Sequence, residues 1–428
     1  MRILIISYYF APQNAIGAVR PTKLAKYLSR LGHEVTVICG PGLKERRDPT
    51  LERDLRELAD VRVVFEWNPL RRPRPKASAP GPAASAPSVP RTGWKHALAD
   101  AAYRWLRWQA DGSFRRRALK ALHALQGPYD VVFSSYAPLS VHEVARQAKR
   151  RGLARRWVAD FRDELNLPFF WQKGKQARCL RWIRREADVL CAASQGVLDM
   201  MGFSDVGRVL TNGFDPEDLP LAQAAQPKDS AFRLAYCGGL YAWRTDSASR
   251  DLTPAFRALA ALIKRGVLAR ESVRLAYAGG ESAAFRRQAA ACGLEELVED
   301  HGMVPRNASL ALQREADVLL MASWNLSGQQ GILTGKLFEY LMANRPILCC
   351  ISGDQALSAV REVLEETGAG FCYEQAAANE KELLDWLEAL VARWRAGQVL
   401  TPQRRERAVE AYAYPSLAKT LEGWLAKL

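Results

Sequence analysis

The sequence lacks several patterns that would place it in well-known classes of protein. It has no run of about 18 apolar residues, so no transmembrane helix is expected. The apolar run at its start is too short for a signal peptide. None of the eight cysteines lies in a Cys-x-x-Cys pair, and no Gly-x-Gly-x-x-Gly follows the first strand-like run. Zinc ribbons, thioredoxin-type sites and the nicotinamide fingerprint are therefore unsupported, and the cysteines are expected to be buried in a reducing cytoplasm.

What the sequence contains is an ordinary globular composition with an uneven charge. Its 428 residues, 48% hydrophobic and 25% charged, are enough for two domains with sizeable cores. The net charge is +15: residues 1–215 hold 37 basic and 20 acidic side chains (+17), and residues 216–428 hold 24 and 26 (−2). One half is therefore expected to meet an anionic partner: a phosphorylated substrate, a membrane surface or a nucleic acid.

Strand and helix patterns alternate in both halves of the chain, which predicts parallel α/β sheets. Residues 2–9 read as a buried strand, 20–31 as an amphipathic helix and Glu34–Cys39 as a second strand, which together make a βαβ unit. The pattern restarts near residue 231 with the strand Phe232–Cys237. We predict two doubly wound halves that bind ligands at the carboxyl ends of their strands and so face each other across a cleft.

The restart and the local composition predict the domain boundaries. We expect an N-terminal domain over 1–215, a polar linker over 216–230, a second domain over 231–400 and C-terminal helices over 401–428 that pack back on the first domain. The Pro/Ala/Ser-rich segment 69–92 cannot form a packed element and is predicted to be a mobile loop.

The sharpest motif lies where a polar loop meets a predicted helix near residue 334. Thr334 can cap this helix and, with Gly335, leave N–H groups free for phosphate, to which Lys336 in the first turn adds charge. Glu339 lies one turn deeper and can accept two hydrogen bonds from a ribose diol. The alternative is an ordinary amphipathic helix with an ion pair between Lys336 and Glu339.

Two motifs in the first half have both a functional and a structural interpretation. Gly17 precedes a helix and permits close approach of an anion to its N-terminus, although it could equally be a plain turn residue. Asp160 and Asp163, which flank Phe161-Arg162, follow a strand and could contact an acceptor hydroxyl or a donor sugar. The alternative for these two carboxylates is a turn-stabilising Asp–Arg pair.

Residues 94–120 combine tryptophans with basic residues. Trp94, Trp105 and Trp108 lie in the same segment as 115–117, which is Arg-Arg-Arg. Such a mixture suits a membrane interface. The alternatives are a solvated helix with its aromatic side chains in the core, or base stacking on nucleic acid, which the sheet architecture disfavours.

Several short motifs, in this order and spacing, resemble the retaining glycosyltransferases of family 4, which have the GT-B fold. The resemblance is strongest to the branch that builds O-antigen and capsule saccharides. The motifs lie at 31–37, 160–163, 211–215, 236–240, 302–305, 316–320 and 335–341.

The resemblance implies roles for individual residues of the nucleotide site. Glu339 matches the second glutamate of the family's Glu-x7-Glu motif, which holds the ribose, while Gly331 stands in place of the first. Arg244 falls where the family often carries a diphosphate-binding lysine, and Gly239 replaces the preceding arginine. Val304 lies in the loop that packs on a uracil-type base.

The resemblance also implies an activity. A sugar would be transferred with retention from a nucleotide sugar, expected to be UDP-linked, to a lipid-linked or saccharide acceptor in cell-surface polysaccharide synthesis. Asp160, Asp163 and Arg244 would be catalytic, and Arg244 and Lys336 would neutralise the diphosphate. Since Asp160-Phe161-Arg162 is not an Asp-x-Asp motif, neither a metal nor another cofactor is expected.

The expected location is the cytoplasm, peripheral on the inner face of the cell membrane, with an anionic membrane surface and no nucleic acid as partner. Two alternatives remain for the function. One is a UDP-sugar 2-epimerase of the same fold, which would use carboxylates to move a proton. The other is a non-catalytic GT-B subunit of a partner transferase, which the departure at Gly331 leaves open.

Overall fold

The computed structural model divides into two compact units. The first unit comprises the described residues of 1–213 together with 414–428, and the second those of 214–413. The sequence predicts a first domain that ends at 215 and C-terminal helices over 401–428 that pack back on it, whereas in the structure only 414–428 of these residues belong to the first unit. The structure describes residues 1–42, 47–65, 94–165, 173–218, 231–241 and 250–428.

Some predictions fall outside this described part of the chain. The loop predicted over 69–92 lies outside it, and so do residues 219–230 of the predicted linker.

The first unit contains a sheet of seven parallel strands. The strands are β1 (Arg2–Ser7), β2 (Glu34–Cys39), β3 (Asp60–Val63), β4 (Tyr129–Tyr136), β5 (Ala154–Phe161), β6 (Val189–Ala192) and β7 (Gly207–Val209). Their order in the sheet is β3-β2-β1-β4-β5-β6-β7. The helices that connect them are α1 (Ile16–Arg30), α2 (Pro49–Leu55), α3 (Trp94–His123), α4 (Ser140–Arg150), α5 (Lys173–Glu186) and α6 (Gln195–Met201).

The central strand β1 shows why both faces of this sheet are covered. Ile3 and Ile5 join one hydrophobic cluster, while Leu4 and Ile6 join another that includes Phe114 of α3. All four strand residues are fully buried. Successive side chains of a strand point to opposite faces, and a continuous apolar run is typical of a parallel strand between two layers of helices.

The second unit contains a sheet of six parallel strands. The strands are β8 (Phe232–Cys237), β9 (Val273–Ala278), β10 (Val298–Gly302), β11 (Val318–Trp324), β12 (Ile347–Ser352) and β13 (Gly370–Glu374). Their order is β10-β9-β8-β11-β12-β13. The helices are α7 (Thr253–Lys264), α8 (Ser282–Ala290), α9 (Arg306–Glu315), α10 (Gly335–Ala343), α11 (Ala359–Thr367), α12 (Glu380–Arg395) and α13 (Glu406–Ala411).

The last helix, α14 (Tyr414–Leu425), belongs to the first unit. Its residues Leu417 and Leu421 lie in the same hydrophobic cluster as Leu24 of α1. By contrast, α13 is grouped with the second unit. The chain therefore returns to the first unit after residue 413.

The predicted fold class is confirmed: both units are α/β with a parallel, Rossmann-like sheet. In each sheet the central strands end next to helix N-termini, which is where parallel α/β sheets bind ligands. Within the described part of the chain, none of the helices is both long and apolar enough to cross a bilayer.

Candidate functional site

The loop that follows β8 in the second unit is held from both sides. Glu281 accepts hydrogen bonds at one carboxylate oxygen from the backbone N–H groups of Leu240 (2.6 Å) and Tyr241 (2.9 Å). On the other side, the Tyr236 hydroxyl donates to the carbonyl of Gly239 at 2.8 Å. The backbone of 238–241 is thereby fixed in one conformation.

Lys336 of α10 packs against this loop. Its Nζ lies 3.6 Å from the centroid of the Tyr236 ring, and a Cβ on Gly238 would lie only 3.0 Å from the same atom. Gly238 also has a φ of 125°. Both the close approach and the positive φ require a glycine at this position.

The ammonium group of Lys336 is shielded from solvent and has no hydrogen-bond partner among the described residues. Burial, and to a smaller extent the charge of Arg250, lower the pKa of Lys336 well below its ordinary value. A buried basic group with no acceptor is costly, and an anion placed beside it would restore its charge.

The start of α10 differs from the prediction in one respect. Thr334 occupies the N-cap position in an extended conformation and Gly335 is the first helical residue, but the Thr334 side chain makes no capping hydrogen bond. Its Oγ1 is buried without a hydrogen-bond partner among the described residues. The predicted side-chain cap is therefore wrong, and a hydroxyl and the free N–H groups remain next to Lys336.

Glu339 does not pair with Lys336, so the alternative interpretation, an ion pair within the helix, is wrong. Its carboxylate instead lies 3.1 Å from the guanidinium of Arg306, the first residue of α9. Arg306 also lies 3.1 Å from Asp218, which is almost fully buried. The side chain of Glu339 retains 23% exposure, so a ligand could still reach its free oxygen.

The loops after β9 and β10 lie side by side near this cluster. Met303 is 79% exposed, and its Sδ would lie 3.4 Å from a Cβ on Gly280. Val304 follows and is half-buried. This is the position where the resemblance predicts contact with a base. Arg244, predicted to bind the diphosphate, lies outside the described residues.

In the first unit, the predicted residue Asp160 is the centre of a buried network. Ser135 of β4, Asp160 of β5 and Cys191 of β6 are register partners across three neighbouring strands, so their side chains share one face. Ser135 Oγ donates to Asp160 at 2.8 Å, and Arg20 of α1 binds both carboxylate oxygens at 2.6 and 3.0 Å. Arg20 also donates to the carbonyl of Thr211.

Asp160 and Arg20 form a complete ion pair inside the fold. Asp160 is fully buried and Arg20 is 1% exposed. Burial alone would raise the pKa of Asp160, but the adjoining guanidinium and the hydrogen bonds hold it below the ordinary value. This geometry matches a stabilising role for Asp160, while its catalytic role stays a prediction.

Of the other residues predicted in this region, Asp163 is accessible and Gly17 is buried. Asp163 is exposed at the end of the motif. Arg162 donates to the carbonyl of Tyr136 at 2.7 Å, and its guanidinium packs against Gly17 in the first turn of α1, where any Cβ would overlap Nη1. Burial lowers the pKa of Arg162. Gly17 is therefore needed for packing, and its predicted contact with a nucleotide stays a prediction.

The basic, aromatic segment forms the long helix α3. Phe114 and Ala118 are buried in the core of the first unit, whereas Trp105 and Trp108 are 49% and 44% exposed. The exposed tryptophans lie on the side away from Phe114, together with exposed Arg115. The alternative that places these tryptophans in the core is wrong for Trp105 and Trp108, whereas the side chain of Trp94 lies outside the described part.

Sequence reasoning missed three residues that shape the site in the second unit: Arg250, Glu281 and Arg306. Arg250 is 7% exposed and lies between the β8 loop and α7. None of the three belongs to a spacing motif, because their contacts join residues 11 to 41 positions apart. The only available signal was their place just before or at the start of a helix.

Comparisons with known proteins agree with this architecture. Residues 17–213 match the model of the glycosyl transferase 4-like domain. A search of curated proteins finds no match to the sequence.

Solved structures with similar folds cover almost the whole chain. Sucrose-phosphate synthase from Thermosynechococcus elongatus matches with 14% identity and a TM-score of 0.60, over 100% of this chain and 98% of that one. The lipopolysaccharide outer core galactosyltransferase WaaB matches with 13% identity and a TM-score of 0.55, over 100% of both chains. WaaG, a glycosyltransferase of lipopolysaccharide biosynthesis, matches with 14% identity and a TM-score of 0.55, over 99% of both. At these identities, the similarity establishes the fold.

Proposed function

We propose that the chain is a glycosyltransferase that uses a nucleotide-sugar donor, because residues 17–213 match the model of the glycosyl transferase 4-like domain. The observation that supports the donor class is the shielded Nζ of Lys336, which has no acceptor among the described residues and lies between a glycine loop and the start of α10. A diphosphate would provide the missing negative charge.

The second unit would hold the nucleotide. The diphosphate would contact Lys336 and the N–H groups at Gly335, and the ribose hydroxyls would donate to the free oxygen of Glu339. The base would lie against the loop that contains Met303 and Val304, next to Gly280. We propose uracil as the base because this loop resembles the segment that packs on uracil in family 4 enzymes.

Chemistry would depend on charge that develops on the leaving diphosphate. Negative charge grows on the departing phosphate as the glycosidic bond breaks, so positive groups that contact it act mainly in the transition state. Lys336, and Arg244 outside the described residues, are the proposed groups. No metal is needed in this account, and the family resemblance leads us to propose retention of configuration.

The acceptor side is proposed for the first unit. Asp163 is exposed and could accept the proton of an acceptor hydroxyl, whereas both oxygens of Asp160 are engaged by Arg20. Because WaaB is a lipopolysaccharide outer core galactosyltransferase and WaaG a glycosyltransferase involved in lipopolysaccharide biosynthesis, we propose a lipid-linked saccharide as acceptor. The net charge of +17 on residues 1–215 would attract an anionic membrane, and Trp105 and Trp108 would insert shallowly from the inner face.

A screen of nucleotide sugars for thermal stabilisation tests the donor class. A ligand at 100 times its dissociation constant stabilises a protein by about 2.7 kcal/mol, which is easily measured as a shift in melting temperature. We expect UDP-sugars to stabilise the chain more than GDP-, ADP- or dTDP-sugars. Absence of stabilisation by every nucleotide sugar and every free nucleotide would contradict the proposal.

Product analysis distinguishes this function from its alternatives. A transferase releases UDP and extends a lipid-linked acceptor, an epimerase converts the donor without an acceptor, and a non-catalytic subunit does neither. Mass spectrometry of donor and acceptor after incubation with the purified chain separates the three. Co-sedimentation with anionic vesicles, which should weaken as salt is raised and on mutation of Trp105 and Trp108 to alanine, tests the membrane part.

A further inference from the structure

Arg250 is a second buried basic side chain in the nucleotide region of the second unit. It is 7% exposed and makes no ion pair within the described part of the chain. Its Nη1 donates to the carbonyl of Gly239 at 2.7 Å, and its guanidinium lies 4.1 Å from the centroid of the Tyr241 ring. Its Nε is shielded from solvent and has no hydrogen-bond partner among the described residues.

Tyr236 and the carbonyl of Gly239 connect Arg250 with Lys336. Lys336 Nζ lies above the ring of Tyr236, and the hydroxyl of that ring donates to the carbonyl of Gly239, to which Arg250 also donates. The guanidinium is always charged, so it repels the neighbouring ammonium group. After burial, the charge of Arg250 is the next cause of the lowered pKa of Lys336.

Two donors in the described part of the loop, 238–241, are already engaged. The N–H groups of Leu240 and Tyr241 donate to Glu281, so this part of the backbone is occupied by a carboxylate of the protein. Arg250 and Lys336 are the basic side chains that lie next to it. Gly239 stands where family 4 enzymes often carry an arginine. Arg250, which precedes α7, donates a hydrogen bond to the carbonyl of Gly239.

We propose that Arg250 is a phosphate-binding residue of the donor site and that it provides, with Lys336, the charge that the residue at position 239 does not. The proposal rests on the proposed function, because it assumes a nucleoside diphosphate in the second unit. Burying an unpaired cation costs desolvation free energy in the free protein, and the negative charge of a bound diphosphate offsets that cost. Arg250 would therefore contribute to affinity for the phosphates and not to affinity for the nucleoside.

The test compares UDP with uridine, which lacks the phosphates, by calorimetry or ligand-observed NMR at high protein concentration. Loss of a hydrogen bond to a charged group should lower the affinity of Arg250→Met for UDP by about tenfold to 150-fold and leave the affinity for uridine unchanged. Arg257→Met, in exposed surroundings on α7, is the matched control and should bind UDP as the unmodified chain does.

Arg250→Lys is the control for a loss of folding in Arg250→Met, because lysine keeps a positive charge but lacks the planar guanidinium group. It should retain the unfolding midpoint and lose less UDP affinity than Arg250→Met. If Arg250→Met loses UDP and uridine equally, or loses neither, the proposal is overturned, even though the chain binds nucleotides. If the unmodified chain binds no nucleoside diphosphate in a panel of UDP, GDP, ADP and dTDP, the proposed function itself fails.

Discussion

Both units bury charged side chains beside their parallel sheets, but they pair some of these charges differently. In the first unit, Arg20 binds Asp160 at 2.6 Å and Lys26 binds Asp54 at 2.9 Å, all of them buried. In the second unit, Lys336 has no hydrogen-bond partner and Arg250 no ion pair among the described residues. Paired buried charges stabilise a fold, whereas unpaired ones are costly unless a ligand completes them.

This difference divides the predicted site residues into two groups. Asp160 has the surroundings of a structural residue, since its carboxylate is bonded inside the fold to Arg20, Ser135 and Cys191. Lys336 has those of a binding residue, because its ammonium group lies between Gly238 and Tyr236 without an acceptor. The predictions below test this comparison.

The largest effect is expected from Arg20→Met. Removing one member of a buried ion pair leaves Asp160 uncompensated, which typically costs about 3–5 kcal/mol of folding free energy. Urea unfolding followed by circular dichroism measures the loss. The matched control is Arg184→Met, because Arg184 pairs with Asp205 at the surface, where an ion pair contributes little to stability. Equal losses in both variants would contradict the structural role given to the Arg20–Asp160 pair.

A smaller effect, on binding and not on folding, is expected from Lys336→Ala and Glu339→Ala. Each should weaken UDP binding by about 1.5–3 kcal/mol, the usual contribution of a hydrogen bond to a charged group. Titration calorimetry measures the affinities. Lys264→Ala serves as a control because Lys264 lies exposed at the end of α7. Unchanged affinity for UDP in both site variants would show that the nucleotide does not bind at α10.

The third prediction concerns protons taken up on binding. Burial lowers the pKa of Lys336, and a bound diphosphate should raise it again by supplying an opposite charge. Above the lowered pKa, UDP binding should therefore take up protons, and affinity should fall as pH rises. Calorimetry in buffers with different ionisation enthalpies measures the uptake. Lys336→Arg, which stays charged, should abolish it; uptake that persists in this variant would assign the effect to another group.

The smallest effect is expected from Asp111→Asn in α3 of the first unit, on the pH dependence of stability. Burial raises the pKa of Asp111 to about 6, and its Oδ1 has no hydrogen-bond partner among the described residues. The folded state therefore holds a proton that the unfolded state releases, so stability should decline as pH rises from about 4 to about 6. Asp111→Asn should flatten this decline, which melting temperatures across that pH range would show. A slope that is unchanged in Asp111→Asn would rule this carboxyl out.

The sequence was most informative where apolar runs are continuous. The strands Glu34–Cys39 and Phe232–Cys237 are predicted with the bounds that the structure has, because each is a short run of mainly apolar residues. The edge strand Val298–Gly302 was missed, since its sequence Val-Glu-Asp-His-Gly has no apolar run and its residues are largely exposed or half-buried. Alternating strands and helices were sufficient to predict the fold class.

The local spacing of residues in the sequence could not predict which side chains form pairs. Lys336 and Glu339 stand three residues apart, which predicts an ion pair within the helix, but α9 brings Arg306 to Glu339 instead. Similarly, the burial of Asp160 depends on the register of three strands and on Arg20, 140 residues away. Such contacts follow from the tertiary fold and leave no periodic signal.

The central claim is that the second unit keeps buried basic side chains unpaired in order to bind a diphosphate. The most direct test is the melting temperature of Lys336→Met, measured with and without UDP, beside that of the unmodified chain. The account predicts that the variant without ligand melts at the same or a higher temperature, because a costly buried group is gone, and that UDP no longer raises its melting temperature. A variant that melts earlier and is still stabilised by UDP as the unmodified chain is would contradict the claim.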